Sequence, residues 1–199
     1  MVGGCIWLLP NLLAQSSTLT AAPPSAVGQL FFANSGQLDP TSAQGLNDMV
    51  IIDLHGITPP ASGNALYAWL RPDPGQDEVK PILLGQLAVK AGHAHLTYAN
   101  PTHEDLLVTF SRFLVTEQAA KTVPVTPPLD SATWRYQATI PTIPNPADEQ
   151  HHYTVLDHLR HLLAKDPTVA SIGLAGGLNI WLVTVPGLTW DLTNWLSAV

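Results

Sequence analysis

Short apolar runs separated by Pro, Gly, Asp and Asn clusters dominate the middle of the chain. Met49–His55 sets Val50, Ile52 and Leu54 against Ile51, Asp53 and His55, the two-residue period of a half-buried strand. Ala65–Leu70 is apolar on both parities, as a central strand is. Gln29–Asn34, Pro81–Val89, Ala94–Tyr98 and Ala132–Ile140 are further strand candidates. Leu106–Glu117 changes parity at Ser111-Arg112: Val108 and Phe110 share one face, and Phe113 and Val115 the next register. A bulge or break is expected there. About seven short strands with turn signals between them predict an antiparallel sandwich or barrel. The fold expected is mainly β, an immunoglobulin-like sandwich of about seven strands.

The period changes after the Pro-rich Pro141–Glu149. From His152 to Leu163, residues Val155, Leu156, Leu159, Leu162 and Leu163 fall on one helical face. Asp148 and Glu149 precede this helix and suit its positive N-terminal end. Val169–Val185 is almost wholly apolar but carries Gly173, Gly176 and Gly177, and Thr189–Ala198 reads as a short amphipathic terminal helix. The organisation expected is an apolar N-terminal segment and Pro/Ser/Thr linker (1–27), a β-sandwich (28–142) and a small α-rich C-terminal extension (143–199).

Composition narrows the class. The 199 residues are 46% hydrophobic and only 12% charged, with 8 Lys plus Arg, 15 Asp plus Glu and a formal charge of −7. Such a chain is too apolar for a disordered protein and lacks the basic footprint of a nucleic-acid binder. One cysteine excludes a disulfide framework and a four-cysteine zinc site. Every basic residue lies between Arg71 and Lys165. Long stretches without Lys or Arg fit the far side of a membrane, where the positive-inside bias is absent. Three readings of Met1–Ala14 stay open: the outer end of a membrane helix, a lipoprotein signal around Cys5, or a helix packed on the domain.

Five blocks in order then carry a resemblance: Asp53–Pro60, Asn64–Leu70, Leu83–Val89, Ala94–Tyr98 and Phe113–Gln118. They resemble the extracytoplasmic domain of anti-sigma-K-type factors, through Gly56, Pro59, Tyr67, Trp69, Leu70, Leu84, Gly85, Leu87, Val89, Val115, Thr116 and Glu117. The likeness covers about residues 50–118. It implies an all-β domain outside the cytoplasmic membrane, tethered by a preceding helix. The family's cytoplasmic zinc-type domain has no counterpart here, because no His-x3-Cys-x2-Cys pattern exists, so sigma-factor binding does not carry over. The function expected is a non-enzymatic, membrane-tethered sensor or protein-interaction module of a bacterial envelope, with a protein partner and no nucleic acid.

Histidine is the one enriched functional residue type, with 8 in the chain. His93 and His95, two apart in a strand candidate, share a face opposite Leu96 and Tyr98. His158 and His161 are neighbours on the helix, with Asp157 beside them. Either pair has a spacing that chelates Zn or Cu through imidazoles. This makes a histidine-based metal-binding envelope protein the alternative reading, in which the metal residues are His93, His95, His158 and His161. Solvated polar faces explain the same residues more simply, in a chain that uses few Lys and Arg. No catalytic motif is present: there is no G-x-S-x-G elbow, and the acidic pairs Asp77-Glu78 and Glu104-Asp105 read as solvated turns.

Overall fold

A computed structural model describes residues 26–37, 44–144, 146 and 152–164. The expectations for the N-terminal apolar segment, for Asp148-Glu149, and for the tail from Val169 onward lie outside the described residues. Seven strands form two antiparallel sheets: β1 (Gly28–Ala33), β2 (Met49–His55), β3 (Asn64–Pro72), β4 (Ile82–Leu87), β5 (His93–Ala99), β6 (Phe110–Ala119) and β7 (Trp134–Thr139). The strand order is β1-β2-β5 in one sheet and β4-β3-β6-β7 in the other. The molecule is a mainly-β two-sheet protein, as the strand count and alternation predict.

The core lies between the sheets. β2 contributes Val50, Ile52 and Leu54; β3 contributes Leu66, Ala68 and Leu70; Phe113 and Val115 come from β6. Fully burying such a side chain stabilises the fold by roughly 1.5–3 kcal/mol. β3 is buried on both faces, which explains its unbroken apolar run. Its other parity, Ala65, Tyr67 and Trp69, packs with Leu114, Leu83 and Trp134 on the outer side of the four-stranded sheet.

Two irregularities aim side chains. Arg71 pairs with Arg112 and Pro72 with Phe110, so Ser111 is the extra residue of a bulge, at the predicted parity change. Arg112 is held there by donating from Nε to the Pro72 carbonyl at 2.5 Å. In β7, Tyr136 opposes Val115 while Trp134 opposes Thr116, which makes Arg135 the extra residue of a second bulge. The bulge turns Tyr136 to the inter-sheet core and Trp134 to the outer cluster. Close approach also fixes β1: a Cβ on Gly28, at φ +157, would lie 2.1 Å from the Asp53 carbonyl oxygen.

The helix is shorter than its periodicity predicts. α1 runs Val155–Leu163 because Thr154 caps it: Asp157 N–H donates to Thr154 Oγ1 and Thr154 N–H donates to Asp157 Oδ2. Its apolar stripe is also less buried than expected. Leu156 is buried, whereas Val155, Leu162 and Leu163 are exposed. Polar contacts do much of the docking. Arg160 grips Asp73 with two hydrogen bonds, 2.7 and 2.9 Å, and donates through Nε to the Leu107 carbonyl. Among the described residues no helix is long and apolar enough to cross a membrane.

Candidate functional site: the histidine face of the three-stranded sheet

The odd-numbered residues of β2 point away from the core, and so do those of β5. Register then decides which of them meet. β2 and β5 are antiparallel, with His55 opposite His93 and Asp53 opposite His95. The turn that delivers His93 is tight. Lys90 and His93 exchange backbone hydrogen bonds of 2.8 and 3.0 Å around Ala91 and Gly92, both at positive φ. Ile57 N–H donates to the Gly92 carbonyl and ties this turn to the end of β2.

Four polar side chains follow from that register. The Nδ1 atoms of His55 and His93 lie 2.9 Å apart, with the rings edge to face at 68°. One Nδ1–H donates to the lone pair of the other, so at least one ring of the pair is neutral. In the adjoining row His95 Nδ1 donates to Asp53 Oδ1 at 2.6 Å, and Thr97 Oγ1 lies 3.3 Å from His95 Nε2. Both rows are open to solvent.

His93 and His95 therefore do share an exposed face, as the alternation predicts. The helical pair is a separate group. Tyr153 meets His158 and His161 edge-on, with centroids 5.6 and 5.0 Å apart, and a charge interaction links His161 with Asp157. The four-residue set His93, His95, His158 and His161 is not brought together. α1 bonds the chain at Asn47, just before β2, through the Leu163 carbonyl, whereas His93, on β5, stands opposite His55 at the far end of β2. Seven residues of strand separate those ends by roughly 20 Å. Among the described residues, no group of three or more His, Cys, Asp or Glu side chains stands ready to hold a metal ion. The partners that the sequence reading left out of the site, His55 and Asp53, were already on one face by alternation; the register that brings them to His93 and His95 was the missing piece.

A second polar cluster closes the opposite end of β2. Asp48 is fully buried. Ser35 donates to it from N–H at 2.7 Å and from Oγ at 2.6 Å, and His103 Nδ1 donates at 2.6 Å. Burial drives the Asp48 carboxyl upward, but the bonds from Ser35 and His103 outweigh it and hold the group below the ordinary aspartate value. The Ser, His and Asp here are not a hydrolytic triad, because Ser35 Oγ donates to the carboxylate rather than to the imidazole. They satisfy a buried charge.

An apolar cleft of about 390 Å³ opens between β1 and β7, edge strands of the two sheets, with Val27, Leu30, Leu54, Phe113 and Tyr136 among its walls. Fold and surfaces together define a mainly-β two-sheet domain with a histidine-bearing face and an open edge. No protein-family model, curated protein or solved structure matches the chain.

Proposed function

We propose that the chain is a non-enzymatic extracytoplasmic module of a bacterial membrane-anchored protein, a sensor or protein-interaction domain similar to the outer domain of anti-sigma-K-type factors. The strand order β1-β2-β5 against β4-β3-β6-β7 supports an immunoglobulin-like sandwich as its fold.

One observation carries the reading: residues of the resembling blocks, far apart in sequence, are one another's partners. Trp69 Nε1 donates to Thr116 Oγ1 at 2.9 Å inside the outer cluster of the four-stranded sheet. Glu117 Oε1 accepts from Ala61 N–H at 2.8 Å and from Asn64 Nδ2 at 2.9 Å, which pins the connection leading into β3. Gly85, at φ +148, sits against Leu96 of the facing sheet, where a Cβ would lie 3.4 Å from that side chain. The blocks thus work as one packing unit across β3, β4, β5 and β6. The cleft between β1 and β7 suits an extended segment of a protein partner, since edge strands offer backbone groups and the cleft offers apolar walls.

The test is a topology fusion. Alkaline phosphatase joined in frame after residue 142 of the native gene, in a bacterial host, is expected to be active, because that enzyme folds only outside the cytoplasm. Activity confined to a cytoplasmic β-galactosidase fusion at the same position would overturn the reading.

A further inference from the structure

We propose that His55 and His93 form a two-imidazole chelate for a divalent transition metal, best suited to Cu(II) or Ni(II), on the outer face of the three-stranded sheet. The inference stands on this face alone and does not depend on the compartment or partner of the domain.

The first argument is bite distance. The two Nδ1 atoms are 2.9 Å apart. Two imidazole nitrogens about 2.0 Å from one metal are roughly 2.8 Å apart in the cis positions of a square-planar site and about 3.3 Å apart in a tetrahedral one. The pair stands at the square-planar value, the geometry of Cu(II) and Ni(II) with nitrogen and oxygen ligands. Tetrahedral zinc needs the rings to open.

The second argument is preorganisation. The residues are directly opposed across antiparallel strands, and the two-residue turn at Ala91-Gly92 and the Ile57–Gly92 bond hold the strand ends in register. Closing the chelate therefore orders little more than side chains. The chemistry also balances without an added reactant. The proton shared between the Nδ1 atoms moves to the Nε2 of its own ring, both Nδ1 lone pairs turn to the metal, and water completes the coordination. That is the balance for two uncharged rings; a pair that holds one imidazolium also releases the extra proton to water as the metal binds.

The third argument is the adjoining row. Asp53 carries a negative charge on the same face, two residues from His55 in β2, and is bonded to His95. It lowers the cost of placing a cation there, within a chain of net charge −7. It also occupies His95, so the chelate is made by His55 and His93 rather than by His93 and His95.

The experiment uses the full chain, expressed without a histidine tag, and Cu(II) as the probe, followed by isothermal titration and by electron paramagnetic resonance at one equivalent. The expected result is a single tightest site with a tetragonal spectrum coupled to two nitrogens. His55→Ala and His93→Ala each weaken it by about 100-fold, the advantage of a chelate over one imidazole. His158→Ala and His161→Ala leave it unchanged. Both strand histidines are exposed, and circular dichroism checks that the variants keep their β content; if an Ala variant loses it, His55→Gln and His93→Gln replace the ligand with an uncharged side chain of similar reach. The proposal is overturned if the tightest site keeps its affinity and two-nitrogen coupling in the His55/His93 double variant, or if the wild type binds no more tightly than a single imidazole.

Discussion

β2 ends in two Asp–His pairs that look alike and differ in nearly everything that decides their worth. His95 meets Asp53 and His103 meets Asp48, each Nδ1 to carboxylate oxygen at 2.6 Å. The first pair is open to water, its side chains 61% and 40% exposed; in the second they are 26% and 0% exposed. Asp48 accepts two further bonds from Ser35, whereas Asp53 stands at the edge of a solvated face. An exposed ion pair contributes about 0–1 kcal/mol, because water competes for both charges. A buried carboxylate whose partners would be left without acceptors is costly to remove. The buried end holds the fold; the open end is solvated and adds little to it.

Asp48→Ala breaks that comparison most severely. It takes the shared acceptor from the Ser35 N–H, the Ser35 hydroxyl and the partly buried His103 ring, and it loosens the connection that carries Asn34 and Asn47, which bond to each other. The expected loss is about 3 kcal/mol, read as a lower midpoint in urea unfolding. Asp48→Asn keeps the shape and loses less.

The pH dependence follows with a definite sign. Because the folded Asp48 carboxyl titrates below its ordinary value, its contribution is fully present above the unfolded value, near 4, and is lost as pH falls through the lower folded value. Glu117 and Asp157 are shifted the same way, so their contributions fall with pH in the same sense. The Asp48 share is the difference between wild type and Asp48→Asn. Unfolding free energies measured from pH 5 downward are expected to fall more steeply in the wild type. Parallel curves would show that the buried pair does not set this part of the acid sensitivity.

The alternation of Met49–His55 announced both the strand and the face on which Asp53 and His55 stand. The parity change at Ser111-Arg112 announced the bulge. These features were legible because each is local: period and parity live within ten residues. Register is not local. His55 meets His93 across 38 residues and His103 meets Asp48 across 55, and the first meeting follows from the β2–β5 register, next to a turn whose Ala91 adopts positive φ with no side-chain signal for it. The bulge at Arg135 was hidden for a similar reason, since its cause is the competition of two cores for Tyr136 and Trp134. The helix was placed by its leucines, yet its start is set by Thr154 and its docking by the Arg160 fork on Asp73, 87 residues away.

His103→Ala is the intermediate case. It removes one of the three side-chain and backbone donors on Asp48 while Ser35 keeps two bonds, so the carboxylate remains partly satisfied. A loss of about 1–2 kcal/mol is expected by urea unfolding, smaller than for Asp48→Ala. Equal losses in the two variants would mean that the imidazole, rather than the Ser35 bonds, holds the charge.

The smallest expected effect tests the open end. Replacing His95, Asp53 or both with Ala forms a double-mutant cycle whose coupling energy is the worth of the pair itself. Water reaches both partners, neither bears on the core residues Ile52 and Leu54 between which Asp53 lies, and β2 remains paired on both sides with β1 and β5. The coupling should be about 0.5 kcal/mol or less and should shrink further in 1 M salt, where screening shortens the reach of exposed charges to about 3 Å. A coupling as large as that of the Asp48–His103 cycle would mean that distance alone sets the value of such a pair. It would also undo the division of β2 into an end that holds the fold and an end whose contacts water weakens.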